Sequence, residues 1–137
     1  MDRETSIKFC SEWLAAWTGN EPELLTEFYS ENAYYQDPAN PEGLKGQEQM
    51  LPYFRKLLAG NPDWEWKAVE IFPTEKGFAF KWRATIPIGQ ETITEYGLDI
   101  VEINNGKITR NEVYFDRSKL LTRLKTLKKG KSEHLDH

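Results

Sequence analysis

The sequence predicts an α+β fold in which helices from the N-terminal half pack on one face of a curved antiparallel sheet. Three observations lead to this prediction. The length of 137 residues suits one domain. Apolar residues recur at helical spacing in the first part of the chain and read as strands in the second. The pair Asn105-Gly106 indicates a tight β-hairpin, because a type I′ turn needs positive φ at both central residues.

The predicted order of elements is ααβαββββα, so that helices precede an antiparallel meander. Residues 3–18 form the first helix, and Pro22 lies early in a short second one. Residues 38–46, rich in Pro, Asn and Gly, are expected to be a loop. Pro52 is tolerated in the third helix only if that helix starts late enough to leave it near the first turn. The predicted strands are 32–37, 64–72, 78–86, 92–103 and 108–116, the third helix is 47–59, and a short helix with Leu120, Leu121 and Leu124 follows. One domain over residues 1–127 and a basic, disordered tail over 128–137 are expected.

Composition excludes several classes of function. The chain has a net charge of −4, and its basic residues concentrate beyond Asp116, so the preceding body is acidic and nucleic acid is not an expected partner. The only histidines are His134 and His137, which leaves no Ser-His-Asp triad, Cys–His pair or His-rich metal site in the body. The single cysteine, Cys10, lies at helical spacing among apolar residues and is expected in the core. With no phosphate-binding or dinucleotide-binding motif either, we expect no metal and no cofactor.

The sequence also predicts a location. No apolar run reaches the length of a membrane span, and the first residues do not resemble a signal peptide. We therefore expect a cytoplasmic protein with no membrane partner.

Aromatic residues and one strand suggest a pocket and a homodimer. Five Trp, six Tyr and seven Phe exceed what a core of this size needs, and such side chains often line pockets. The strand 92–103 is apolar on both faces, with Ile93 and Val101 on one side and Tyr96 and Leu98 on the other. Because helices can cover only one face, a second subunit is expected on the other.

Three stretches carry a resemblance to a known family. They are WLAAWTGNEPELLTEFYSENAYYQDP over residues 13–38, the G-x-E-x-M helix start over 46–50, and GLDIVEINNGKITRNEVYFD over 97–116. The chain resembles the nuclear-transport-factor-2-like superfamily, in particular its polyketide-cyclase (SnoaL-like) and ketosteroid-isomerase branches. The resemblance implies the cystatin-like, cone-shaped fold, whose sheet wraps around three helices. It does not by itself imply a reaction, because the superfamily contains isomerases, cyclases, dehydratases and binding modules.

Two aspartates are the candidate catalytic residues. Asp37 ends a strand before Pro38, and Asp99 lies on an apolar strand face, where a carboxylate is costly unless it is paired, hydrogen-bonded or protonated. The resemblance implies that Asp37 matches the proton-shuttling aspartate of ketosteroid isomerases. It implies that Asp99 matches the aspartate that those enzymes keep protonated to donate to the substrate oxygen, a system that is itself a standard example of pKa tuning.

The chain departs from the isomerases at two tyrosines. Trp13 and Phe54 stand where those enzymes have hydroxyl groups, and Tyr53 is one residue away, about 100° around the helix. The resemblance therefore does not imply steroid isomerisation. The epoxide-hydrolase branch has an Arg-x-Asp step, and its nearest match, Arg83-Ala84-Thr85, lacks the acid.

Structural interpretations of the same aspartates remain open. Asp37 is equally consistent with an Asx-type turn into the loop, and Asp99 with a partner in the backbone or Arg110 across the hairpin. Asp116 favours a helix cap over a catalytic acid.

Three functions remain open at this point. The first is a cofactor-free isomerase, cyclase or lyase acting on a small apolar carbonyl compound. The others are a non-catalytic module for a lipophilic ligand and a dimeric scaffold domain with a filled core. The predicted ligand-contacting residues are Trp13, Trp17, Tyr35, Phe54, Trp64, Trp66, Trp82 and Tyr114, although the strand aromatics also suit a core or a dimer surface.

Overall fold

The computed structural model of the chain describes the backbone of residues 1–135 and the side chains of residues 1–127. It contains four helices and six strands in the order ααββαββββα. The helices are α1 (Arg3–Thr18), α2 (Pro22–Glu27), α3 (Gly46–Gly60) and α4 (Ser118–Leu135). The strands are β1 (Tyr29–Asp37), β2 (Asn40–Lys45), β3 (Glu65–Pro73), β4 (Gly77–Ile88), β5 (Glu91–Asn104) and β6 (Lys107–Tyr114). The predicted α+β class is confirmed.

All six strands belong to one sheet, with the order β2-β1-β6-β5-β4-β3. The pairing of β1 with β6 is parallel, and the other four pairings are antiparallel. Register shifts interrupt β3 between Ala68 and Glu70 and β5 between Glu102 and Ile103. Such bulges bend a strand and increase its twist, which suits a sheet that curves around helices. The predicted hairpin is confirmed, because Asn105 and Gly106 have φ values of 52° and 76°.

The predicted loop over residues 38–46 is wrong, because most of it forms the edge strand β2. Tyr35 pairs with Leu44 and Asp37 with Asn40, so the chain turns at Pro38 and returns beside β1. Pro and Gly are tolerated in an edge strand, since one of its sides needs no hydrogen-bonded partner.

Helix α3 begins at Gly46, earlier than the predicted start, so Pro52 lies inside it rather than in its first turn. A proline there removes one backbone hydrogen bond. Three fully buried side chains, Met50, Phe54 and Leu58, hold this helix on the core. Tertiary packing therefore outweighs the local cost of the proline.

Helix α4 is longer than the short helix that the sequence predicts. Leu120 is buried, and Arg123 forms an exposed ion pair with Glu91, the first residue of β5. The domain boundary at residue 127 stays a prediction, since residues 136–137 and the side chains beyond 127 lie outside the described part.

The core lies between the sheet and the first three helices. Along β4, Phe78, Phe80 and Trp82 alternate with half-buried or exposed residues, so one face of the strand is buried. Helix α1 packs against β3, and helix α3 packs against β1. Between these helices and the middle of the sheet, the packing leaves a cavity.

Candidate functional site

The cavity has a volume of ≈ 160 Å³ and predominantly apolar walls. Its lining includes all five tryptophans of the chain: Trp13 and Trp17 from α1, Trp64 and Trp66 around the start of β3, and Trp82 from β4. Leu120 and Leu121 of α4 contribute to the wall as well. Asp37 and Asp99 both line this cavity, so the fold brings the two predicted aspartates to one space.

The Asp37 carboxylate has two different sides. Its Oδ1 accepts hydrogen bonds from the backbone N–H groups of Ala39 and Asn40, at 3.0 and 2.9 Å, and from the Asn40 side chain at 2.9 Å. Its Oδ2 accepts hydrogen bonds from the hydroxyl groups of Tyr35 at 2.8 Å and Tyr53 at 2.5 Å. The contacts of Oδ1 are therefore those expected of an Asx-type turn, whereas Oδ2 is hydrogen-bonded by two tyrosines. Five donors stabilise the negative charge of Asp37.

Tyr53 lines the cavity as well, although its position on α3 predicts a side chain that faces away from it. It is indeed next to Phe54, whose ring is fully buried against Trp17 and Tyr35. The phenol is long enough to reach the Asp37 carboxylate from its own side of α3. Burial and the neighbouring Asp37 carboxylate raise the pKa of Tyr53, so this hydroxyl is a neutral donor.

Asp99 is buried and accepts hydrogen bonds from two side-chain N–H donors, an indole and an amide. Trp82 Nε1 donates to Oδ1 at 2.7 Å, and Asn111 Nδ2 donates to Oδ2 at 2.9 Å. The Asn111 side chain also accepts a hydrogen bond from the Tyr29 hydroxyl at 2.7 Å. The predicted alternative partner, Arg110, forms ion pairs with Glu102 and Glu112 instead, on the opposite face of the sheet from Asp99.

Gly97 makes the contact between Trp82 and Asp99 feasible. Gly97 pairs with Trp82 across the β4–β5 ladder and lies two residues before Asp99 on the same face. A Cβ atom at Gly97 would come within 2.1 Å of the Trp82 ring, so the indole lies directly over the glycine. The missing side chain lets the ring reach along β5 to Asp99.

Burial is the main influence on the protonation of Asp99. Desolvation raises its pKa to about 7, while the hydrogen bonds from Asn111 and Trp82 oppose that rise. The negative charge of Asp37 adds to the rise. At neutral pH, Asp99 can therefore either give or accept a proton.

A comparison with protein-family models matches residues 11–111 to the SnoaL-like domain. The chain belongs to the SnoaL-like family. This confirms the resemblance that the three stretches of sequence carry. No curated protein sequence matches the chain.

Solved structures show the same fold at low sequence identity. A putative hydroxylase from Streptomyces galilaeus, AclR, is 16% identical, with a TM-score of 0.75 over 91% of this chain and 98% of that one. A protein from Catenulispora acidiphila with a ketosteroid isomerase-like fold, in complex with trimethylamine, is 18% identical, with a TM-score of 0.74 over 84% and 90%. SalBIII, an epoxide hydrolase/cyclase-like enzyme in pyran ring formation of salinomycin, is 16% identical, with a TM-score of 0.72 over 84% and 93%.

The SnoaL-like domain places six of the eight predicted ligand-contacting residues in the cavity wall. These are Trp13, Trp17, Tyr35, Trp64, Trp66 and Trp82. Phe54 lies behind the wall, in the core, because its neighbour Tyr53 occupies the lining position. Tyr114 is 45% exposed and pairs with Leu98 on the outer face of the sheet, so it does not reach the cavity.

Two charged residues of the lining were not predicted. Glu95 lies on β5 two and four residues before Gly97 and Asp99, on the same face, and Arg117 precedes α4. The period-2 alternation from Ile93 to Asp99 was a signal for Glu95, whereas Arg117 follows the last strand and had none. Asp116 stays outside the lining, and its Oδ1 accepts a hydrogen bond at 2.9 Å from the N–H of Ser118, the first residue of α4, which makes it a local turn contact at the start of that helix.

No helix of the described residues is both long and apolar enough to cross a membrane. Over the same residues, no group of three His, Cys, Asp or Glu side chains is arranged as metal ligands.

Proposed function

We propose that this SnoaL-like domain binds a small, largely apolar carbonyl compound and moves a proton on it without a cofactor, as an isomerase, cyclase or lyase does. The observation that carries the proposal is the placement of two buried carboxylates, Asp37 and Asp99, in the wall of one aromatic cavity. Two carboxyl groups in different surroundings can take separate acid and base roles.

Asp99 is the better candidate for the proton transfer itself. A carboxylate has about four lone-pair positions, and the five donors around Asp37 fill them. Among the residues whose side chains are described, Asp99 accepts two hydrogen bonds, one on each oxygen, so each oxygen keeps a free position. In the proposed step, the Asp99 carboxylate takes a proton from the carbon next to the carbonyl, which leaves an enolate and a neutral Asp99. The same proton then returns to another carbon of the ligand.

Trp13 is the proposed donor to the carbonyl oxygen. Its side chain lines the cavity, and its buried indole N–H lies near the Tyr29 hydroxyl without a well-formed hydrogen bond to any side chain of the described residues. A buried donor without a partner is costly, so an oxygen of the ligand would be stabilised there. This role also suits the resemblance, in which Trp13 occupies the position of an oxyanion-binding tyrosine.

The volume of the cavity limits the ligand. An engineered apolar cavity of about 150 Å³ binds benzene, and the cavity here is ≈ 160 Å³. It therefore encloses about one ring, and the rest of a larger ligand would lie at the mouth.

A thermal-shift screen with one-ring and two-ring ketones tests the ligand class. A ligand at a hundred times its dissociation constant adds about 2.7 kcal/mol, which is a shift on the order of 10 °C for a small domain. Any ketone that binds is then assayed for conversion by the wild type and by the Asp99→Asn and Asp37→Asn variants. We expect Asp99→Asn to lose conversion, and full activity of that variant would overturn the assignment.

A non-catalytic binding module is the alternative, and the five donors that already fill the Asp37 carboxylate favour it. Ligand binding that persists in both variants, with no product from the wild type, would support this alternative.

We also propose a homodimer through the outer face of the sheet. Tyr96, Leu98 and Tyr114 are 52%, 41% and 45% exposed there, and Leu98 pairs directly with Tyr114. Large apolar residues grouped on one face are typical of an interface. Sedimentation of the wild type and of Leu98→Lys tests this, and a wild-type monomer at micromolar concentration would contradict it.

A further inference from the structure

Three residues on neighbouring strands form a row across the inner face of the sheet. Glu95 of β5 pairs with Ala84 of β4, and Ala84 pairs with Trp66 of β3. Directly paired residues point to the same face, and all three line the cavity. Strands are about 4.8 Å apart, so the backbones of Glu95 and Trp66 are about 10 Å apart. Only the small side chain of Ala84, which is itself buried, lies between them, so the row presents a carboxylate and an indole along the same part of the cavity wall.

The Glu95 carboxylate has an unused acceptor in this row. Its Oε1 is buried and accepts no hydrogen bond from any side chain or backbone group in the described part of the chain. Leaving a buried charged acceptor unpaired costs more free energy than leaving a neutral one. A donor supplied by a ligand would therefore be stabilised next to Glu95.

The surroundings of the row favour a positive charge. The Trp66 ring packs against the rings of Trp17 and Trp64, each at 5.7 Å between centroids, so the row ends in an aromatic cluster. Aromatic faces attract cations, and Trp does so most strongly. The described lining contains three acidic residues and a single basic one, Arg117.

We infer that the row of Glu95, Ala84 and Trp66 binds the cationic nitrogen of an alkylated amine, and that the ligand is an apolar compound carrying such a group. A neutral hydroxyl group could satisfy Glu95 Oε1, but it would gain little from the tryptophan rings. This inference shares with the proposed function the assumption that a ligand binds in the cavity, but it does not depend on the proton transfer. Glu95 and Asp99 are four residues apart on one strand, or about 13 Å, whereas the cavity encloses about one ring. The amine and the reacting carbonyl would therefore belong to opposite ends of a ligand that is longer than that ring.

The test compares two probes of the same shape. Choline carries a permanent charge, and the alcohol in which carbon replaces its nitrogen is the neutral counterpart. Binding of each is followed by tryptophan fluorescence, since all five tryptophans line the cavity. We expect the wild type to bind choline more tightly by about tenfold or more, as expected for a cation that is ion-paired with a carboxylate and lies against aromatic rings in a desolvated site.

Two variants distinguish a preference for choline that comes from this row from one that comes from the overall charge of the protein. Glu95→Gln keeps the shape and removes the charge, so we expect the preference for choline to disappear. Glu65→Gln is the control, because Glu65 is next to Trp66 in β3 but exposed and outside the cavity lining. That variant is expected to keep the wild-type preference.

Equal affinity for the two probes, no saturable binding of choline, or an unchanged preference in Glu95→Gln would each overturn the inference. The first two outcomes are measured on the wild type alone, so the inference can be refuted even if a variant folds poorly. A preference for choline without turnover of any ketone would overturn the proposed function alone. Turnover of ketones without a preference for choline would overturn this inference alone.

Discussion

Replacing Trp82 with Phe is expected to raise the pKa of Asp99. The phenyl ring keeps most of the apolar packing but lacks the N–H group that donates to Asp99 Oδ1 at 2.7 Å. A hydrogen bond to a charged group contributes about 1.5–3 kcal/mol, which corresponds to roughly 1–2 pKa units. Because this hydrogen bond favours the ionised carboxylate, its loss moves the pKa upward from about 7.

The shift can be measured from the pH dependence of unfolding. Desolvation makes the folded-state pKa of Asp99 about 7, higher than the value near 3.9 of an unfolded chain. The stability that this group contributes is therefore complete below about pH 4 and is lost as the pH rises through 7. The loss amounts to roughly 4 kcal/mol in total, with a steepest slope of about 1.4 kcal/mol per pH unit.

Urea unfolding of the wild type and of Trp82→Phe over this range gives the comparison. In the variant, the decline in the free energy of unfolding should continue to a pH that is about 1–2 units higher. The total decline should be larger than in the wild type by roughly the free energy of one charge-assisted hydrogen bond. Trp66→Phe is the matched control, since Trp66 lines the same cavity without donating to Asp99. A decline that ends at the same pH in Trp82→Phe and in the wild type would refute the reasoning.

Three further substitutions probe the two aspartates. Asp99→Asn should remove the decline in unfolding free energy between pH 4 and 7, and a decline that persists in urea titrations would point to another group. Gly97→Ala places a Cβ atom 2.1 Å from the Trp82 ring, so it should lower the free energy of unfolding by about 1–3 kcal/mol and raise the pKa of Asp99. An unchanged midpoint of the Asp99 titration, followed by NMR, would argue against the contact between Trp82 and Asp99. Tyr53→Phe removes the 2.5 Å hydrogen bond to Asp37 and should lower the free energy of unfolding by about 1–2 kcal/mol, whereas no loss in urea would show that the bond contributes little.

Strongly periodic segments of the sequence predicted the fold well. Helix α1 and the four strands after α3 were found from the spacing of their apolar residues, and Asn105-Gly106 located the last hairpin. The edge strand β2 could not be found in this way, because Pro and Gly interrupt its pattern and its pairing with β1 is a tertiary interaction.

The site was predicted less completely than the fold. Asp37 and Asp99 were found because a strand-end aspartate and an acidic residue on an apolar face are both unusual. The partners of Asp99, Trp82 and Asn111, depend on the register between strands, which one sequence does not reveal. Tyr114 was misplaced for the same reason, since Val113 rather than Tyr114 pairs with Asp99.

Exchange of solvent deuterium into a bound ketone tests the proposed proton transfer most directly. Cyclic ketones that bind the protein are incubated in heavy water, and loss of the proton signal next to the carbonyl is followed by NMR with and without the protein. The structure predicts exchange that the wild type accelerates and Asp99→Asn does not, with a pH dependence that has its midpoint near 7. Equal exchange rates for the wild type and Asp99→Asn would contradict the assignment of Asp99 as the group that moves the proton.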